Sequence, residues 1–121
     1  MRSIPVLLLA LILAGCGQKE VSYKDKIQPI LTARCVSCHG PNLAYDKVLL
    51  SSYQEVMSSK ARSGKQPIVT PGNLEESRLY VLCATLQKQF RMPPDTSHNI
   101  ALPNEELVLI SKWIIQGAKD N

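Results

Sequence analysis

Large side chains are scarce in this chain of 121 residues: aromatics make up 5%, with one Trp, one Phe and four Tyr. A domain of about a hundred residues built this way has a thin core, so something other than polypeptide is expected to complete it. Long apolar runs are also missing. None reaches about twenty residues, which excludes a bilayer-spanning helix in the mature protein. No run of Lys or Arg occurs, and no basic stripe with interleaved aromatics, so no nucleic-acid partner is expected. The length leaves no room for a multi-domain enzyme. What remains is the profile of an ordinary globular domain, 45% hydrophobic and 20% charged.

The first residues read as an address. Arg2 supplies a charged start, and Ile4 to Ala14 is an eleven-residue apolar stretch, the length of a signal-peptide core. The bland alternative is an ordinary signal peptide followed by a chance cysteine. Leu13-Ala14-Gly15-Cys16, however, resembles the bacterial lipobox, in which the cysteine is lipidated and becomes the first residue of the mature chain. That resemblance implies acyl chains on Cys16. Several chains at about 0.8 kcal/mol per buried CH₂ give stable anchoring. Gly17 in place of Asp leans towards the outer membrane. The expected layout is a lipoprotein signal peptide over 1–15, a lipidated N-terminus and tether over 16–22, and one domain over 23–121. The domain would face the periplasm of a bacterial envelope. Loss of 1–15 removes Arg2 alone among the charged residues, leaving 13 basic against 10 acidic side chains, or +3.

Three further cysteines follow. Cys35 and Cys38 lie in Cys35-Val36-Ser37-Cys38-His39, the C-x-x-C-H pattern of covalent c-type haem attachment. Two thiols three residues apart can each reach one vinyl group of the same porphyrin. The adjacent His39 then falls beneath the iron. An export signal fits, because this attachment takes place outside the bacterial cytoplasm. A zinc site would need a second close ligand pair, and Cys83 and His98 are isolated from each other. A thioredoxin-like pair would want a βαβ setting, which is not visible. A structural disulfide would close an unusually small loop. Cys83, in Leu79-Tyr80-Val81-Leu82-Cys83, reads as a buried, inert thiol.

An iron held by His39 needs its sixth position explained. Met1 leaves with the leader. Met57 follows the haem motif closely on a predicted helix and reads as a core or surface residue. Met92 lies far downstream in Arg91-Met92-Pro93-Pro94, where the prolines impose a stiff, non-helical segment suited to holding a weak Fe–S bond. His98 is the rival, as a stronger ligand, but Asp95-Thr96-Ser97-His98-Asn99 reads as a solvated loop. Met92 is the expected ligand.

These residues carry a family resemblance. The chain resembles a class I monohaem cytochrome c, and most closely the short planctomycete-type domain. The matching stretches are Ile27-Gln28-Pro29-Ile30-Leu31, Cys35 to Gly40, Pro71 to Leu79, Met92-Pro93-Pro94, Leu102, Glu106 and Trp113 to Ala118. The resemblance implies an all-α cytochrome c fold, with about four short helices wrapped around one covalently attached haem c. It implies Cys35 and Cys38 as thioether sites, His39 as proximal ligand and Met92 as distal ligand. Pro29 departs from the broader class and leaves the first helix either starting late or kinked.

The pattern itself reads as helical, without convincing strand alternation. Tyr23, Ile27, Ile30, Leu31 and Arg34 form a helical stripe, with Pro29 best placed in a first turn. Ser52 to Glu55 has capping-box spacing and opens a short helix through Met57. Asn73 to Glu76 repeats the spacing, predicting a helix to about Lys88 with Leu79, Leu82, Cys83 and Leu86 on one side. Glu105 and Glu106 favour a last helix ending near Gly117, with Leu107, Ile110 and Ile114 on one face. The first and last helices are expected to pack together. Arg91, Arg78 and Trp113 are candidates to meet haem propionates.

Closed His/Met coordination would leave no place for substrate, so the expected activity is single-electron transfer and not catalysis. Expected partners are redox protein donors and acceptors, plus the membrane through the lipid, with no small-molecule substrate. The alternatives are a haem subunit of a larger membrane oxidoreductase, or a haem-based enzyme or sensor with an open distal site.

Overall fold

Pro29 decides how the first helix begins. It lacks an N–H, and its ring crowds the carbonyl four residues back. In the computed structural model, which describes residues 17–61, 64–96 and 100–121, the chain winds Tyr23–Ile27 as a π-helical turn. Ile27 N–H donates to Ser22 O (3.3 Å), and Gln28 N–H to Tyr23 O. Only then does α1 run over Gln28–Arg34, with Pro29 in its first turn. The α-helix does start late, and the widened turn ahead of it accommodates the proline.

Beyond α1 come β1 (His39–Gly40) and β2 (Leu43–Ala44), a 3₁₀ turn over Tyr45–Lys47, α2 (Tyr53–Ser58), α3 (Arg78–Ala84) and α4 (Asn104–Ile115). The two strands form a minimal antiparallel ribbon in which His39 faces Ala44 and Gly40 faces Leu43. This ribbon, with isolated bridges between Lys60 and Pro67 and between Thr70 and Asn73, departs from the all-helical expectation.

Helix α2 begins at the predicted cap. Ser52 Oγ accepts from Glu55 N–H (3.2 Å), while the Glu55 carboxylate reaches back to Ser51 N–H (2.8 Å). Helix α3 is shorter than predicted. Asn73 Oδ1 does accept from Glu76 N–H (3.1 Å), but this closes a turn and not a helix. The reason is Ser77, fully buried and extended (φ −87°, ψ 97°). Its hydroxyl accepts from Thr70 N–H (2.9 Å) and lies within donating distance of Thr70 O (3.0 Å) and Asn73 O (2.6 Å). These bonds hold the chain open until Arg78. At the other end Thr85 is extended, and its Oγ1 accepts from Gln87 N–H (3.2 Å), so the helix stops at Ala84. Leu86 consequently lies in solvent, 94% exposed, and not on the predicted apolar side.

Helix α4 starts under Glu105 and Glu106 and ends where Gly117 takes φ +103°, a conformation closed to most side chains. Its buried residues are Ile110, Trp113 and Ile114. They pack with Tyr23, Ile27, Leu31 and Val56 in one core. Tyr23 lies edge-on to Tyr53 (5.1 Å) and 5.5 Å from Trp113. The two chain ends are laced together, as expected. Tyr23 N–H donates to Asn121 Oδ1 (2.9 Å), and Lys24 N–H to Asn121 O (3.0 Å). Val21 is buried, and its N–H donates to Gln116 Oε1 (2.8 Å), so the stretch expected to be a tether is docked from Val21 onward.

Candidate functional site

The backbone around the paired cysteines is a helix end that turns into the ribbon. Cys35 N–H closes α1 on Leu31 O (2.8 Å), and Cys38 and His39 N–H both donate to Cys35 O (3.1 and 2.8 Å). This tight turn places the two thiols on one side of it. His39 is then fixed from both flanks, by its pairing with Ala44 and by Leu50 N–H donating to His39 O (2.8 Å). Gly40 permits the approach. A Cβ there would sit 2.4 Å from Val36 O, which backbone cannot yield without moving His39.

Cys35, Cys38 and His39 open onto a cleft of about 780 Å³. Met92, Pro93 and Pro94 line the same cleft, together with the apolar side chains of Val48, Leu50, Ile68, Leu79, Leu82 and Cys83. The Met92 segment is tied to α3 by Met92 N–H donating to Leu82 O (3.0 Å), and the Met92–Pro93 peptide is cis. Four residues whose sequence numbers span 57 steps therefore line one cavity. Met57 packs against the core and does not line the cleft. Cys16 and His98 lie outside the described residues.

The chemistry of the lining narrows its use. Burial pushes the Cys35 thiol up to about 12, with Glu106 adding to the shift and Arg34 opposing it. A nucleophilic redox pair needs the opposite, a depressed thiol. Burial likewise pushes Cys83 up to about 12. Cys83 is buried, as predicted, and it lines the cleft. No group of three His, Cys, Asp or Glu side chains is arranged to hold a metal ion among the described residues. His39 Nδ1 is buried without a hydrogen-bond partner, unlike that of a histidine retained for structure. An apolar cavity of this size, with two thiols on one side, an under-partnered imidazole and a thioether, fits a haem.

Residues 35–96 match a family model described as planctomycete cytochrome C. The chain belongs to that family. Haem-based electron transfer is the activity this membership carries, and haem c the cofactor it implies. No curated protein and no solved structure matches the chain.

Within the planctomycete cytochrome C frame, the propionate candidates divide. Arg78 lines the cleft. Trp113 does not: its Nε1–H donates to Lys119 O (2.9 Å) inside the core. Arg91 pairs through Nη2 with Asp95 (2.5 Å), while its Nε is buried without a hydrogen-bond partner. Sequence reasoning missed Tyr45, Asp46 and Ile68 as lining residues. Tyr45 and Asp46 reach it from the 3₁₀ turn and Ile68 from a loop, where no periodicity marks a buried face. Phe90, two residues before Met92, could have been found by proximity.

Proposed function

We propose that this protein is a membrane-anchored, periplasm-facing electron carrier with one haem c. Cys35 and Cys38 would hold it through thioethers, and His39 and Met92 would be its axial ligands. The observation that carries this reading is the convergence of those four residues on one apolar cleft in a chain of this family. When bound, haem c supplies a one-electron Fe(III)/Fe(II) couple. The chain's own residues do the rest. The ribbon and Gly40 fix His39, the Leu82–Met92 bond positions the thioether, and the apolar lining excludes water. Arg78 on the rim offers a cation for a carboxylate. A thioether ligand and a low-polarity wall both favour the ferrous state, so a relatively high potential is expected.

The test is the mass and pyridine haemochrome spectrum of the protein expressed with haem-attachment machinery. One haem per chain, resistant to acid-acetone extraction and lost in Cys35→Ala/Cys38→Ala, supports covalent attachment through this pair. Extractable haem in the wild type, or covalently held haem that persists in the double variant, contradicts it. Anchoring at Cys16 rests on the lipobox resemblance, and the mass of the mature N-terminus checks it.

A further inference from the structure

Two helix ends meet beside the first cysteine of the cleft. Arg34 stands in the last turn of α1 and Glu106 in the first turn of α4, the positions at which each helix dipole favours that charge. They form a two-pronged pair, with Arg34 Nε and Nη2 both donating to the Glu106 carboxylate (3.0 and 2.9 Å). Arg34 also lines the cleft, and it immediately precedes Cys35. Its cation therefore reaches the cleft already matched by a carboxylate.

Both charges are felt where the cofactor would be attached. At the Cys35 thiol, after burial itself, Glu106 raises the pKa and Arg34 opposes it. The same two fields act on a haem held at Cys35. Ferric haem carries one more positive charge than ferrous haem. A carboxylate nearby favours Fe(III) and lowers the potential, whereas a guanidinium favours Fe(II) and raises it. The apolar lining of the cleft strengthens both influences. The pair is partly exposed, 31% for the Arg34 side chain and 24% for that of Glu106, so salt can screen them.

We propose that the Arg34–Glu106 pair, at the Cys35 end of the cleft, tunes the reduction potential of the bound haem by charge cancellation, each member offsetting the pull of the other on the iron. Both act through their field and not as ligands. This rests on the haem reading above. It is separate from any part the pair plays in stability. Loosening the junction of α1 and α4 would admit water and lower the potential whichever partner were lost. Cancellation instead requires the two losses to move the potential in opposite directions.

The experiment is a spectroelectrochemical titration of the full-length, haem-loaded protein and its variants at low and high salt. Glu106→Gln uncovers the Arg34 cation and should shift the potential upward. Arg34→Gln uncovers the Glu106 carboxylate and should shift it downward. The double variant Arg34→Gln/Glu106→Gln should return close to the wild-type value. So should Arg34→Lys, which keeps the charge and loses the two-pronged geometry. Both single shifts should shrink in high salt. If Arg34→Gln yields no holoprotein, the rise in Glu106→Gln against an unmoved Arg34→Lys carries the same test. Single shifts of the same direction, no shift in either, shifts indifferent to salt, or a double variant displaced beyond both singles overturn the proposal. A wild-type protein without covalent haem, by mass, refutes the haem reading itself; covalent haem with shifts of one direction refutes the cancellation alone.

Discussion

Arg34 and Glu106 meet as a two-pronged pair, Nε to Oε2 at 3.0 Å and Nη2 to Oε1 at 2.9 Å, across 72 positions of sequence. The pair joins the end of α1 to the start of α4 at the edge of the cleft, one residue from Cys35. The hydrogen bond to Glu106 raises the Arg34 pKa, so the pair stays charged wherever Glu106 is ionised. Glu106→Gln removes the charge and keeps the shape. The expected outcome is a lower unfolding midpoint for the holoprotein, with a deficit that shrinks in high salt because both side chains are partly exposed. Thermal melts of both proteins at low and high salt read this; a salt-independent deficit contradicts an electrostatic role.

Tyr23 offers a cleaner pH test, away from the cleft. Its hydroxyl is buried without a hydrogen-bond partner, and its pKa is pushed up to about 12 by burial first, then by Asp120, Glu55 and Tyr53. A pKa raised above the unfolded value of 10.0 means that the unfolded chain gives up this proton first. Tyr23 therefore contributes stability fully below pH 10, and that contribution is lost as pH rises towards 12. The loss is at most about 1.4 kcal/mol per pH unit across that window. Tyr23→Phe should be neutral, or stabilising by about 1 kcal/mol, near pH 7. It should also flatten the alkaline decline. Denaturant unfolding at pH 7 and across the alkaline range checks both; a variant that is less stable at pH 7 would show that the hydroxyl has a partner.

Ser77 is predicted to matter more than its size suggests. Ser77→Ala leaves the Thr70 N–H, in a part-buried bond, without the fully buried hydroxyl that accepts from it. The expected cost is about 1–3 kcal/mol. Chemical denaturation measures it. Ser77→Thr, which keeps the hydroxyl but adds a methyl group to a site with no exposed surface, should also be destabilised, for a packing reason. A neutral Ser77→Ala contradicts the account given for the late start of α3.

These residues also show what could be read from the chain. The cleft was legible because its chemistry is carried by side chains of rare type at a diagnostic spacing: Cys35, Cys38 and His39 identify one part of its lining, and Met92 between an arginine and two prolines identifies another. Helix α2 was legible because Ser52 and Glu55 act locally. Helix α3 was not. The same spacing at Asn73 and Glu76 makes a turn, because Ser77 bonds to Thr70, a tertiary partner outside the window of local pattern. The exposed Leu86 follows from that error. Tyr45 and Asp46 reach the cleft from a 3₁₀ turn and Ile68 from a loop, both too short to show a period. The docking of Val21 depends on Gln116, 95 positions away, and no local signal announces it.

The central claim is that Met92 and His39 face one iron in this cleft. The most direct measurement is the far-red absorption of the purified ferric protein, where a weak sulfur-to-iron charge-transfer band reports methionine ligation. The account predicts that band in the wild type and its loss in Met92→Ala, with a lower potential and an iron opened to added ligands. Met57→Ala and His98→Ala should keep the band. Its absence from the wild type, or a bis-imidazole spectrum abolished by His98→Ala, would contradict the account.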